Sequence, residues 1–242
     1  MNEKLGNVSK KMEYPGRFIM LGKMGGKYWT VYGVTARSES SKAKRYIWDE
    51  KKNQVCVEPT DKAIMSEGDL SLLDYIAVKV FENGLIVGNG QQVNRQEKIE
   101  GESALSYLEQ ALSLETYEPD KYCTPRITGC FLKSEGIWTA ALHSITSDPN
   151  GETLHNGYPI PLEENIFYFL STYAGPNVRP TPSFCEKPLH IDIKDGTLQE
   201  IVFDIFNTWS PKENQEDLRV SVVGFSFCEN TENRDYFIKN MF

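Results

Sequence analysis

The densest chemistry in the sequence lies at residues 117–127, Tyr117-Glu118-Pro119-Asp120-Lys121-Tyr122-Cys123-Thr124-Pro125-Arg126-Ile127. Two carboxylates, two phenols, a hydroxyl and a guanidinium fall within this stretch. A carboxylate beside a guanidinium can move a proton and hold developing charge. Pro119 and Pro125 disfavour α geometry in the residues before them, so the segment is predicted to be an extended, stiff loop. Loops at sheet ends often carry function. A salt-bridged surface loop has the same composition. Arg17 and Arg37 stand near strand ends early in the chain. Their planar forks match phosphate, although exposed arginines also serve solubility.

Other chemistries find no support. Gly25-Gly26-Lys27 lacks the upstream glycine of a P-loop, and Gly88-Asn89-Gly90 opens no long helix, so both read as turns. His143, His155 and His190 are isolated, with no metal-ligand spacing. There is no Gly-x-Ser-x-Gly elbow, and Met1-Asn2 supplies no N-terminal nucleophile. The five cysteines (Cys56, Cys123, Cys130, Cys185, Cys228) are odd in number and scattered. They are expected to be reduced and mostly structural. No cofactor or metal is called for.

The elements that must position these residues are mostly strands. Residues 17–22 form a short apolar run and 28–34 alternate, and with Gly25-Gly26-Lys27 between them they predict a hairpin. Residues 75–90 place two apolar runs around Asn83-Gly84, a dipeptide suited to a tight turn. Ile127–Leu132 and Ile137–Leu142 predict a third hairpin. Further strands are expected at 54–58, 165–173, 189–193 and 219–227. Helical period appears at 102–116, through Leu105, Leu108 and Leu112, and at 197–209, where Thr197 and Glu200 fit a capping box. Eight to ten strands and two helices predict an α+β protein with two stacked sheets and helices outside. Residues 1–13 read as a polar N-terminal extension and 14–242 as a single domain. Residues 174–190 are Pro-rich and read as a rigid loop that could lie over a site.

The chain carries 26 Lys+Arg against 34 Asp+Glu, a net charge of −8 without a basic run. It is therefore a poor match to a nucleic-acid backbone. No apolar run approaches the roughly 18 residues of a membrane span, and the polar start has no signal-like core. A cytoplasmic protein is expected.

Taken in order, these residues resemble the archaeal-type IMP cyclohydrolase family. The likeness runs through Tyr14-x-Gly16-Arg17-Phe18 and Val34-Thr35-Ala36-Arg37-Ser38, then Tyr75, Lys79 and Asn89-Gly90. Its most specific part is Tyr117-Glu118-x-Asp120-x-Tyr122-x-Thr124-Pro125-Arg126-Ile127, followed by Thr172-Tyr173. Three stretches depart from the family. Glu39-Ser40-Ser41-Lys42 replaces Phe-Pro-Asn-Arg, Lys79 replaces an arginine, and Gln91-Gln92-Val93 replaces a Ser-His-Thr stretch.

The resemblance implies a four-layered αββα sandwich, Ntn-hydrolase-like but without the N-terminal nucleophile. It implies dehydrative closure of 5-formamidoimidazole-4-carboxamide ribotide to inosine 5′-monophosphate. Under that reading Glu118 is the acid/base that deprotonates the carboxamide nitrogen and protonates the leaving hydroxyl. Tyr75 donates to the formyl oxygen. Arg17 and Arg37 bind the ribotide phosphate or base, with Arg126 and Lys79 in reserve. Asn89 and Thr124 hold the carboxamide or ribose, and Asp120 orients an arginine. The partner is a small purine ribotide, and self-association of the fold is an expectation. The competing readings are a related cyclohydrolase with a changed substrate and a non-catalytic purine-nucleotide-binding protein.

Overall fold

Strand-forming alternation dominates the chain, and the fold follows from pairing those strands. The computed structural model describes residues 3–61, 75–120, 122–228, 231 and 233–242. Met1, Asn2 and Lys121, which entered the sequence reading, lie outside the described residues. In chain order the elements are β1 (Glu3–Lys4), α1 (Leu5–Lys11), β2 (Arg17–Met24), β3 (Lys27–Thr35), α2 (Glu39–Lys42), β4 (Lys44–Asp49) and β5 (Gln54–Pro59). They continue with β6 (Ile76–Phe81), β7 (Gly84–Gly88), α3 (Ala104–Ala111), β8 (Arg126–Ser134), β9 (Ile137–Ser147), β10 (Thr153–Ile160) and β11 (Ile166–Ser171). The last are β12 (Leu189–Asp192), α4 (Leu198–Thr208), β13 (Arg219–Phe227) and β14 (Arg234–Asn240).

Two seven-stranded sheets result. One has the order β1-β12-β11-β2-β3-β13-β14, and the other is a meander, β10-β9-β8-β7-β6-β5-β4. Every pairing is antiparallel except β1 with β12. The three expected hairpins form, although the β6–β7 turn falls one residue earlier than Asn83-Gly84: Glu82 and Asn83 make it, and Gly84 already pairs with Phe81. The edge strands β4, β10 and β14 escape the sequence reading. They are short or polar on one face, and only their neighbours in the sheet reveal them.

The inner faces of the sheets pack together. Ile19 of β2 sits against Gly129 of β8 so closely that a side chain at 129 would meet it at 3.0 Å. Tyr28 meets Phe131, with ring centroids 5.8 Å apart. Side chains two apart on a strand share a face, so Arg17 points inward beside Ile19 and Leu21. The outer faces take the helices. Trp209, at the end of α4, stacks on Phe18 at 4.6 Å, and the Phe18 ring occupies the space a Cβ on Gly33 would need. Helix α3 closes a second core with Ile86, Cys130, Leu132, Ala141 and Ile145. Both helices begin with capping boxes, at Ser103 and at Thr197. The second was legible in the sequence.

Residues 3–12, polar in overall composition, are not free. Leu5, Val8 and Met12 are buried, and the Met12 carbonyl accepts from Trp209 Nε1 at 2.9 Å. Spacings of three and four bring these apolar residues onto one face. The five cysteines are free thiols. None of the helices among the described residues is long and apolar enough to cross a membrane.

His143 of β9 is 2% exposed, and its Nδ1 has no partner. Burial, with His155 close by (ring centroids 5.6 Å apart), pulls its pKa down to about 4. The unfolded chain binds this proton near pH 6.5 and the folded chain does not. Stability is therefore complete above about pH 6.5 and declines as the pH falls towards 4. His143→Gln is expected to remove up to about 3 kcal/mol of that acid sensitivity, measured as urea midpoints at pH 7 and pH 4.5. An unchanged pH dependence in the variant would show that another group governs it.

Candidate active site

The inner faces hold an unusual polar group at the end of β2 where the strand begins. Gly16 turns the chain there with φ +70. Its carbonyl accepts from Thr35 N at 2.7 Å and Thr35 Oγ1 at 3.0 Å. Arg17 is then held by the neighbouring strand end. Its N–H donates to Thr172 Oγ1 at 3.1 Å, and its carbonyl accepts from Thr172 N at 2.9 Å. The residue is half-buried, and its Nε is buried without a partner. Burial opposes its charge, but Glu118 first, then the phenols of Tyr75, Tyr32 and Tyr14, outweigh that and hold its pKa well above the usual arginine value.

Glu118 is 6% exposed. Burial raises its pKa above the usual carboxylate range, against the pull of Arg17, then Arg126. Its one hydrogen-bond donor among the described side chains is Asn89 Nδ2, at a long 3.4 Å from Oε1. The loop around it is stiff. Asp120 accepts from Tyr122 N (3.2 Å), Thr124 N (2.9 Å) and Thr124 Oγ1 (2.6 Å). Glu118 N donates to the Thr124 carbonyl at 2.9 Å, and Thr124 Oγ1 also meets Tyr173 OH at 2.8 Å. Asn89 anchors the same loop from β7, donating to the Pro125 carbonyl at 2.9 Å and accepting from Ile127 N at 2.7 Å.

Tyr75 completes the group from the other sheet. Its hydroxyl lies 2.6 Å from Tyr46 OH and 3.0 Å from Tyr32 OH. Burial, then the neighbouring phenols, raises the pKa values of Tyr32 and Tyr46 well above the usual phenol range. Lys44 lies two residues before Tyr46 on β4, on the same inward face. It is 2% exposed and its Nζ has no partner. Burial first, and then Arg17, push its amine well below the usual lysine range, while Glu118 acts the other way. The Arg17 charge and a buried amine pushed towards its neutral form thus both feel one carboxylate. Such a balance is costly in an interior.

The sequence-derived residues divide. Arg17, Tyr75, Asn89, Glu118, Asp120 and Thr124 come together here. Arg126 borders them, with Nη1 donating to Gln92 Oε1 at 3.0 Å and Nε to the Thr116 carbonyl at 2.8 Å. Asp120 organises its own loop instead of an arginine. Arg37 is at the exposed end, its guanidinium 4.2 Å from the Tyr14 ring centroid. It donates to the Val178 carbonyl at 2.7 Å and to Thr181 Oγ1 at 2.8 Å, tying down the Pro-rich loop. Lys79 pairs across to Ile86 on the outward face and donates to the Gln96 carbonyl, because strand alternation turns it away from the inner group. Lys44, Tyr32 and Tyr46 were missed. The available signal was the alternation of Lys44, Tyr46 and Trp48 against Arg45 and Ile47, which puts a lysine on an apolar face.

An open cleft of about 710 Å³ lined in part by Met24, Trp29 and Leu198 lies at the far end of β2. Open volume and buried chemistry thus sit at opposite ends of one strand. Among the described residues no cluster of His, Cys, Asp and Glu could hold a metal ion. The arrangement suits proton transfer by Glu118 and stabilisation of a developing oxyanion by Tyr75 and Arg17.

Residues 14–227 match the model of a family described as IMP cyclohydrolase-like protein. Among curated relatives, an IMP cyclohydrolase of Methanocaldococcus jannaschii is 27% identical over 198 residues, covering 80% of this chain and 86% of the relative. One from Methanocella arvoryzae is 31% identical over 162 residues, covering 66% and 74% respectively. One from Haloarcula marismortui is 34% identical over 118 residues, covering 48% and 54%.

Gly16 carries the geometry of Arg17. A Cβ there would lie 2.3 Å from Thr172 Oγ1 and 2.6 Å from the Tyr173 ring, at a φ that L side chains resist. Gly16→Ala is expected to lower stability by about 1–3 kcal/mol, read from denaturant midpoints. A variant as stable as the parent would show that the turn tolerates a side chain.

Proposed function

The chain belongs to the IMP cyclohydrolase-like family, and from that premise we propose that its inner polar group closes the purine ring. The reaction converts 5-formamidoimidazole-4-carboxamide ribotide to inosine 5′-monophosphate with loss of water. The observation that carries the assignment is Glu118, a buried carboxylate with raised pKa, one long hydrogen bond and the charge of Arg17 acting on it. The sheet pair with a helix outside each face supports reading the fold as an αββα sandwich of Ntn-hydrolase type, without the N-terminal nucleophile. The enzyme is read as cytoplasmic, acting on a small ribotide without nucleic acid or membrane, and self-association is retained as an expectation.

The reaction is intramolecular, so much of the catalysis is positioning. Glu118 accepts a proton from the carboxamide nitrogen as that nitrogen bonds to the formyl carbon. Negative charge grows on the formyl oxygen. The O···O distances let Tyr32 and Tyr46 both donate to Tyr75 OH, an orientation that leaves the Tyr75 proton free to donate to that oxygen. The charge of Arg17 adds to this stabilisation. Glu118 then delivers its proton to the oxygen, giving a carbinolamine, which loses water. Asn89, Asp120 and Thr124 have their hydrogen bonds committed within the protein and are assigned to holding the Glu118 loop. Arg37 and Arg126 are assigned to the ribotide phosphate and base at the outer end of the site. Lys79 faces away and receives no role.

Glu118→Gln is expected to lower kcat by about 10²–10⁴ while inosine monophosphate still binds, measured spectrophotometrically with the formamido ribotide. Near-normal turnover would remove Glu118 from the mechanism. The acid/base reading also fixes a pH dependence. The free enzyme needs Glu118 ionised, so kcat/KM falls as the pH drops through its pKa. Because burial raises that pKa, the acid limb should lie above the usual value of about 4.3. A limb at or below that value would contradict the assignment.

A further inference from the structure

Ring closure requires two proton movements from nitrogen to oxygen. Addition moves one from the carboxamide nitrogen to the formyl oxygen, and Glu118 accounts for it. Dehydration needs a second. The formamide nitrogen must lose its hydrogen as the C=N bond forms, and the carbinolamine hydroxyl must gain a proton to leave as water. Glu118 has by then returned to the carboxylate, and this second transfer starts at a different nitrogen from the one Glu118 served. A second carrier that begins without its proton would serve both ends of this step.

Lys44 is placed for it. Its side chain shares the inward face of β4 with Tyr46, whose hydroxyl reaches Tyr75. Its Nζ is buried and unpartnered. The charged groups acting on it are Arg17 from β2, which disfavours its ammonium form, and Glu118 from the 117–127 loop, which favours it. The phenols of Tyr32, Tyr46 and Tyr75 are the other titratable groups of this hydrogen-bonded cluster. A structural lysine so deep in a core would be paired, because an unpaired buried amine costs stability.

We infer that Lys44 is a further catalytic residue, the proton carrier of the dehydration half-reaction. Its amine takes the hydrogen from the formamide nitrogen, and the resulting ammonium gives that proton to the departing hydroxyl. One C–O bond breaks, one C=N π bond forms, water leaves and the amine is restored. The inference rests on the cyclohydrolase reading of the same site.

The test compares wild type, Lys44→Met, Lys44→Gln and Lys44→Arg with the formamido ribotide, together with a ¹³Cε titration of lysine-labelled full-length protein. Met and Gln should lower kcat by about 10²–10³ with inosine monophosphate binding retained. Met should match or exceed wild type in Tm, because it replaces an unpaired amine with an apolar side chain. Arg, which stays charged, should not restore turnover. The resonance missing in Lys44→Met should report an uncharged amine at neutral pH. Turnover within about threefold of wild type in the Met or Gln variant, or an amine that remains charged above pH 9, would overturn the inference. If wild type itself forms no inosine monophosphate, the cyclohydrolase reading falls, and this inference falls with it.

Discussion

The structure is organised around ionisable groups enclosed between two sheets. Arg17 and Lys44 enter the same interior from different sheets, and Glu118 is the carboxylate that acts on both. An interior of this kind does not form for stability's sake, because desolvating charges costs several kcal/mol per ion unless they are well paired. Here Arg17 Nε and Lys44 Nζ are left without partners. The surrounding framework has to hold these groups against that cost. It does so with well-packed strands on both sides and with aromatic residues, such as Phe18 and Trp209, stacked behind them.

The 117–127 loop separates two carboxylates that look alike in sequence. Asp120 has its oxygens filled by two backbone N–H groups and a hydroxyl. That set of donors makes it a fixed part of the loop. Glu118, two residues earlier, has a single long donor among the described side chains, and Arg17 acts on its charge from β2. The same loop therefore supplies its own scaffold and a carboxylate with lone pairs to spare. Tyr173 joins the arrangement by meeting the hydroxyl that binds Asp120. Through Tyr14, stacked on Tyr173 at 5.5 Å, the scaffold extends to Arg37 and the Pro-rich loop.

Much of this was legible in the residues and some of it was not. Period and turn chemistry located the Asn83-Gly84 hairpin and the Thr197 cap, because those signals act over a few neighbouring residues. Glu118, Arg17 and Tyr75 were recognisable through their ordered motifs. Lys79 was misplaced by motif position, since only the register with Ile86 reveals which way it faces. Lys44 and the phenols of Tyr32 and Tyr46 were invisible as chemistry. They converge from β4 and β3, strands of different sheets, and such convergence has no local trace. Residues 3–12 were underestimated because two buried aliphatics suffice to dock a short helix whose other face is polar.

The phenol group shows why the site needs both sheets. A hydroxyl flanked by two others at 2.6 and 3.0 Å can receive two donors and still present its own proton. Tyr32 comes from one sheet, while Tyr46 and Tyr75 come from the other. Sliding the sheets by even one residue, roughly 3.3 Å, would break this set and would also separate Arg17 from Glu118. The register of the sandwich thus sets which of these polar groups meet, as well as how the core packs. The close approach of Gly129 to Ile19, where no larger residue fits without a shift, is one of the contacts that fixes it.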